Sequence, residues 1–146
     1  AMKEFKFTLK KVLEYKTHME EFEKAVLAQL NFCHQQLENE LEGLRSRYTA
    51  LQGEYTEKCR KVSEVVEIAE IRSYLQELLN LMKKKQQEIQ LLEKEINKQI
   101  DKIIELDQKK SAMEKLEERY YQSYKDKLRK ATENFIDDFV ANTKQN

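Results

Sequence analysis

The sequence predicts an all-α protein, a long antiparallel two-helix coiled-coil hairpin whose second helix extends beyond the first. Three observations predict it. The 146 residues contain no Pro and only Gly43 and Gly53, so the two residues that most readily interrupt a helix are nearly absent. Charged residues make up 37% of the chain, and the residues between them are largely Leu, Ile, Val, Gln and Tyr, the mix of a coiled coil. The apolar positions are also periodic, which a disordered polyampholyte has no reason to be.

The first helix is expected at about 4–60. From residue 37, Leu37, Leu41, Leu44, Tyr48, Leu51, Tyr55, Val62, Val65 and Ala69 follow alternating steps of four and three, interrupted at Lys58. That is a heptad seam. Upstream the stripe widens through Phe5, Leu9, Val12, Leu13, Met19, Phe22, Val26, Leu27, Leu30 and Cys33. A stripe wider than a two-helix seam suggests packing against a third surface.

A turn is expected within about 60–73. Lys58, Arg60 and Lys61 precede Ser63, and Glu64, Glu67 and Glu70 follow it, the charge order favoured at the end of one helix and the start of the next. Ser63 is one candidate cap, and Ser73 with Gln76 offers a second capping box. The competing arrangement is one unbroken helix of about 200 Å, dimerised in parallel.

The second helix is expected at about 73–142. Leu75, Leu78, Met82, Ile89, Leu92, Ile96, Ile103, Leu106 and Met113 share a heptad frame, with Lys85, Gln99 and Lys110 as its polar layers. Beyond it Leu116, Tyr120, Tyr124, Leu128, Ala131, Phe135 and Phe139 relax to longer steps, which straighten or reverse a supercoil. A turn centred near residue 66 would set Leu9 against the region of Leu128, with the second helix outrunning the first by about a dozen residues.

That pairing would gather charge at the open end. Residues 3–16 carry a net +3 and residues 119–130 a net +4, in a chain whose 27 Lys and Arg balance its 27 Asp and Glu. Residues 20–42 are acidic. Zero net charge does not suit a general binder of nucleic acid or anionic membrane, and the asymmetry suits docking of one end into a partner protein. No apolar run approaches the ~20 residues that span a bilayer, and no signal peptide is recognisable. Ala1 ahead of Met2 reads as a cloning remnant.

Catalytic chemistry finds no foothold. Two isolated glycines build no phosphate-cradling loop. His18 and His34 are about 24 Å apart along one helix and cannot share a metal. Cys33 and Cys59 are about 39 Å apart along the same helix, beyond disulfide reach, so they are expected as free thiols of a reducing compartment such as the cytoplasm. Cys33 and His34 are adjacent and point about 100° apart, so they read as seam residues and not as a nucleophile with its base. Glu20–Glu21 and Asp137–Asp138 read as solvated helix faces. The chain is not expected to be an enzyme.

The tyrosines are the candidate contacts. Tyr48 and Tyr55 lie on the seam, where core packing with the hydroxyl reaching solvent competes with a docking role. Leu44, Tyr48, Leu51 and Tyr55 would face Tyr74, Leu78 and Leu81 across the hairpin and form an apolar patch. Tyr120, Tyr121 and Tyr124 are three rings in five residues, so they cannot all share one seam, and at least one faces outward.

The opening Phe5-Lys6-Phe7-Thr8-Leu9-Lys10-Lys11-Val12-Leu13-Glu14-Tyr15-Lys16 resembles the start of the flagellar export protein FliJ family. The resemblance continues through Tyr74-Leu75 and Leu78, through Lys115-Leu116-Glu117-Glu118-Arg119 with Tyr121, Tyr124 and Lys125, and to Phe135, Asp137 and Asp138. It covers nearly the whole chain, and its N-terminal segment is the most specific piece. Such a resemblance implies an antiparallel coiled coil in the flagellar type III export apparatus, similar to the stalk of a rotary ATPase. Its implied partners are the hexameric export ATPase, the membrane export gate and export chaperones, with no cofactor, no nucleic acid and no direct membrane insertion. By position it implies Leu44, Tyr48, Leu51, Tyr55, Tyr74 and Leu78 as gate-binding residues, with Leu81 and Lys85 as looser matches. The end that would dock into the ATPase is expected to present Phe5, Phe7, Lys10, Lys11, Tyr121, Tyr124, Lys127 and Lys130. The implied place is cytoplasmic, at the inner face of the membrane through the export apparatus, and the chain alone is expected to be a monomer. Two alternatives differ in class: a structural or tethering coiled coil that dimerises through its seam, and a helical arm that grips RNA, the latter disfavoured by zero net charge.

Overall fold

The computed structural model describes residues 2–61 and 64–145, apart from the side chains of Met2, Phe5, Phe7 and Gln145. Two helices account for all of these residues but Lys61 and Glu64, α1 (Met2–Arg60) and α2 (Val65–Gln145), and no strand occurs among them. They pack as an all-α helical hairpin. The chain divides into two units, one of Ala1–Phe22 with Ile103–Asn146 and one of Glu23–Lys102.

The 23–102 unit contains the turn. Lys58 and Arg60 close α1, and Glu67 stands in the first turn of α2, so each helix end carries the charge that its dipole favours. Lys58 Nζ reaches Glu67 across the turn at 3.6 Å. The Glu64 carbonyl accepts the first amide bond of α2, from Ile68 at 3.3 Å, which places Glu64 at the helix start. α2 therefore begins eight residues before the expected position 73. Ser73 lies inside the helix, and Gln76 donates to Asn80 at 3.2 Å instead of closing a capping box. Val62 and Ser63 fall outside the described residues.

The early turn corrects the register. Val65 and Ala69, expected to continue the α1 seam, are exposed, Val65 by 81%. The seam of α2 starts instead at Ile68 and Ile71 and runs through Leu75, Leu78, Met82, Lys85, Ile89, Leu92, Ile96 and Gln99, every one of them buried or half-buried. On α1 the facing set is Leu27, Leu30, His34, Leu37, Leu41, Leu44, Tyr48, Leu51, Tyr55 and Lys58, also in alternating steps of three and four. Leu41, Leu78 and Ile89 are nearly sealed from solvent. Burial of such side chains is the main apolar stabilisation a two-helix seam can offer, roughly 1.5–3 kcal/mol each.

Two polar positions interrupt the α2 side of this seam, and both are satisfied across it. Lys85 Nζ reaches Glu40 at 2.7 Å. Glu23 holds the Gln99 amide, which also donates to the Glu23 carbonyl at 2.9 Å, and takes Lys102 at 2.9 Å. Partners on α1 fall in number as those on α2 rise, so the helices are antiparallel.

In the unit of 1–22 with 103–146 the seam passes through Leu9, Leu13, Lys16 and Glu20 on α1, and through Ile103, Leu106, Lys110 and Met113 on α2. Lys110 is the third polar layer and lies 3.8 Å from Glu20. Of the expected wide stripe, Leu9, Val12, Leu13, Met19, Val26, Leu27, Leu30 and Cys33 are buried or half-buried, and Phe22 departs from it. Phe22 is 66% exposed because the seam steps from Glu20 to Glu23 on either side of it. Lys6 stands over Tyr121, so the expected pairing of Leu9 with Leu128 does not occur: Leu9 is buried and Leu128 exposed. Only Met2 to Phe5 of α1 precede Lys6, whereas α2 runs on to Gln145, and every described side chain from Tyr121 onward is exposed. The overhang is thus longer than a turn at residue 66 would leave it.

Candidate docking surfaces

In the 23–102 unit the gate-binding residues expected from the sequence separate by depth. Leu78 is 1% exposed and works as core. Leu44, Tyr48, Leu51 and Tyr55 are half-buried along α1, each with an edge available to solvent. Tyr74 is exposed. Leu81, a looser match in the sequence, is exposed and shares a groove with Leu44, Gly43, Arg47, Lys84 and Lys85. A Cβ added to Gly43 would meet nothing within 4 Å, so this groove is open at the glycine. The surface is an apolar strip rimmed by charges of both signs, the composition that suits a protein contact.

Charge in this unit is held by pairing. Hydrogen bonds from the Gln99 amide and then the Lys102 ammonium keep the Glu23 carboxyl below its ordinary value of 4.5, with burial opposing them. The Glu40 carboxylate raises Lys85 above its ordinary 10.5, again against desolvation. A carboxyl with a depressed folded pKa contributes stability above its unfolded pKa and loses it as pH falls through the folded one. A raised lysine contributes fully below its unfolded pKa and loses its contribution as pH rises past the folded one. The thermal midpoint is therefore expected to be flat between roughly pH 5 and pH 10 and to fall on either side. Melting curves by circular dichroism check this, and Glu23→Gln should flatten the acid limb.

The unit of 1–22 with 103–146 presents the open end. Two ammonium groups stand over the Tyr121 ring, Lys6 from α1 and Lys125 from α2, each 4.9 Å from the ring centroid. Such contacts contribute about 0.5–1 kcal/mol at exposed sites. The sequence reading had both lysines in its basic stretches without joining them to the ring, although Lys125 stands one turn beyond Tyr121, the spacing that brings side chains together. Tyr124 is exposed, and Tyr120 is half-buried. Lys127 and Lys130 share one shallow groove on α2 with Lys115 and Arg119. Lys10 and Lys11 are exposed on α1. The side chains of Phe5 and Phe7 lie outside the described residues. Farther along α2, Phe135, Ile136, Phe139 and Val140 are all exposed at helical spacing. The sequence reading placed Phe135 and Phe139 on a relaxed seam, and the structure gives them no partner helix.

Both cysteines are free thiols, Cys33 half-buried and Cys59 exposed. Among the described residues no helix is long and apolar enough to cross a membrane. A model described as flagellar FliJ protein matches residues 5–146. No curated protein and no solved structure matches the chain.

Proposed function

The chain belongs to the flagellar FliJ protein family, a family of non-enzymatic proteins associated with flagellar type III export, and from that premise we propose that it acts as a stalk or adaptor of the export apparatus. In this reading the open end docks into the hexameric export ATPase and raises its activity. The apolar strip near the turn, with Leu44, Tyr48, Leu51, Tyr55, Tyr74 and the neighbouring Leu81, meets the membrane export gate, and the coiled coil also receives export chaperones. Leu78 supports that strip from beneath. The protein would then sit on the cytoplasmic side of the membrane, held there by its partners.

The observation that best supports the reading is the chemistry of the open end. Lys6, Tyr121 and Lys125 form a cationic aromatic cluster, and Lys127 and Lys130 lie farther along α2. An end that combines rings with positive charge gives a partner ring both hot-spot contacts and electrostatic guidance. The test is the ATP hydrolysis rate of the purified ATPase ring with and without the protein. The wild-type chain is expected to stimulate it. A chain carrying Lys10→Glu, Lys11→Glu, Lys127→Glu and Lys130→Glu, with unchanged helicity, is expected to lose at least about tenfold in apparent affinity, since several rim charges reverse together. Undiminished stimulation by that variant would remove the role of the basic end.

A further inference from the structure

In the 23–102 unit one cluster of side chains has no part in the docking surfaces. His34 and Glu38 stand one turn apart on α1, and Glu93 reaches them from α2. His34 Nε2 lies 3.1 Å from a Glu93 oxygen and 3.7 Å from a Glu38 oxygen. All three ligand atoms fall within 4.8 Å of one another. The His34 side chain is the least exposed of the three, at 27%.

Charge sets this cluster apart from the other cross-helix contacts of the unit. Glu40 faces Lys85, Glu67 faces Lys58, and Glu23 faces Lys102 with Gln99. Glu38 and Glu93 instead converge on one imidazole. Neither has a Lys or Arg three or four residues away on its own helix: Glu38 is flanked at those spacings by His34, Gln35, Leu41 and Glu42, and Glu93 by Ile89, Gln90, Ile96 and Asn97. Two carboxylates and one imidazole nitrogen therefore share one small volume with no ammonium or guanidinium at helical spacing on either side.

We propose that His34, Glu38 and Glu93 form a divalent-metal site that joins α1 to α2, with Zn2+ as the ion that fits. One imidazole and two carboxylates make a mixed N/O donor set that zinc accepts, and water completes the fourth position. Two ligands about 2.1 Å from a tetrahedral ion stand roughly 3.4 Å apart. The separations of 3.1 and 3.7 Å bracket that edge. The helical spacing of His34 and Glu38 delivers two donors to one face, and the antiparallel register delivers the third. Because the donors come from both helices, the ion binds the paired state in preference to the unfolded chain and stabilises it by mass action. The histidine pair expected to be unable to share a metal, His18 and His34, is not what builds this site. The third ligand comes from a position 59 residues away from His34, which no local motif reveals.

The test is titration of the full chain with Zn2+ alone, by calorimetry in a non-chelating buffer after treatment with chelator. One ion per chain is expected at micromolar affinity, with a rise in the thermal midpoint. His34→Ala and Glu93→Gln should each weaken binding by at least about tenfold while leaving the helical circular dichroism unchanged. A chain carrying both Cys33→Ser and Cys59→Ser should bind as the wild type does. No uptake at 100-fold above micromolar Zn2+, affinity unchanged by His34→Ala, loss of binding in the cysteine variant, or one ion per two chains by sedimentation would each overturn the proposal.

Discussion

Leu78→Ala is expected to lower the unfolding free energy by about 2–4 kcal/mol, the cost of removing a buried leucine and leaving its space partly unfilled. Leu78 is the most enclosed of the described side chains, and in a two-helix seam few neighbours stand behind it. For a chain of this size that loss corresponds to a fall of several degrees in the thermal midpoint. Phe22→Ala is the contrasting case. Phe22 is larger but 66% exposed, so its truncation is expected to change stability by no more than about 0.5 kcal/mol. Urea unfolding of the two variants checks both figures. Equal losses would mean that the seam does not run through Glu20 and Glu23 as described. The comparison also separates stability from docking. A binding defect in Leu78→Ala has to be judged against its folded fraction, whereas Tyr74 and Leu81 can be altered at the surface.

The second large effect concerns oligomeric state. A chain carrying Glu23→Leu, Lys85→Leu and Gln99→Leu is expected to melt higher than the wild type and to cease being monomeric. These positions interrupt a seam of Leu, Ile and Tyr with groups satisfied at one register only, Glu23 by Gln99 and Lys102, and Lys85 by Glu40. Apolar replacements of paired polar residues often stabilise, because desolvation no longer opposes burial. They also remove what distinguishes one alignment from another, as a buried polar residue does in a coiled-coil seam. Sedimentation equilibrium at low micromolar concentration should show mostly dimers or larger species for the variant and monomers for the wild type. A variant that stays monomeric would mean that the covalent turn alone selects the pairing. A wild-type chain that is itself dimeric would favour the tethering coiled coil over the stalk.

Much of this fold was legible because a coiled coil writes its contacts along the sequence. The α2 frame from Leu75 to Met113 could be read directly, including Lys85, Gln99 and Lys110 as polar layers, since each occupies a place in an otherwise apolar rhythm. The α1 frame was legible from Leu37 onward for the same reason. Upstream the apolar rhythm breaks at Glu20 and Glu23, which are buried carboxylates of the seam. An apolar count passes over charged seam positions and takes in Phe22, and only the partners on α2 show why carboxylates belong there. The turn was bracketed by charge, but Val65 and Ala69 keep the α1 rhythm past the reversal, and no Gly or Pro marks the break. A register error of a few residues at the turn then carried through the whole pairing and set Leu9 against Leu128. At the candidate surfaces the sequence set Leu44 opposite Leu81, which line one groove, but did not join Lys6 or Lys125 to Tyr121. The Lys6–Tyr121 contact and the groove between Gly43 and Leu81 both depend on which turn of α2 stands beside which turn of α1.

The stretch of α2 past Tyr121 shares its backbone with the seam but not its source of order. Upstream, packing of two helices backs the amides of the seam face. Past Tyr121 each amide is guarded by a single rank of helical hydrogen bonds with no packed face behind it, and such packing supplies most of a helix's stability in a protein. One continuous element thus holds two grades of persistence, and the softer one carries Phe135, Ile136, Phe139 and Val140. A partner that captures those side chains would also fix their helix, so its affinity would depend on the helix-forming tendency of residues it never touches.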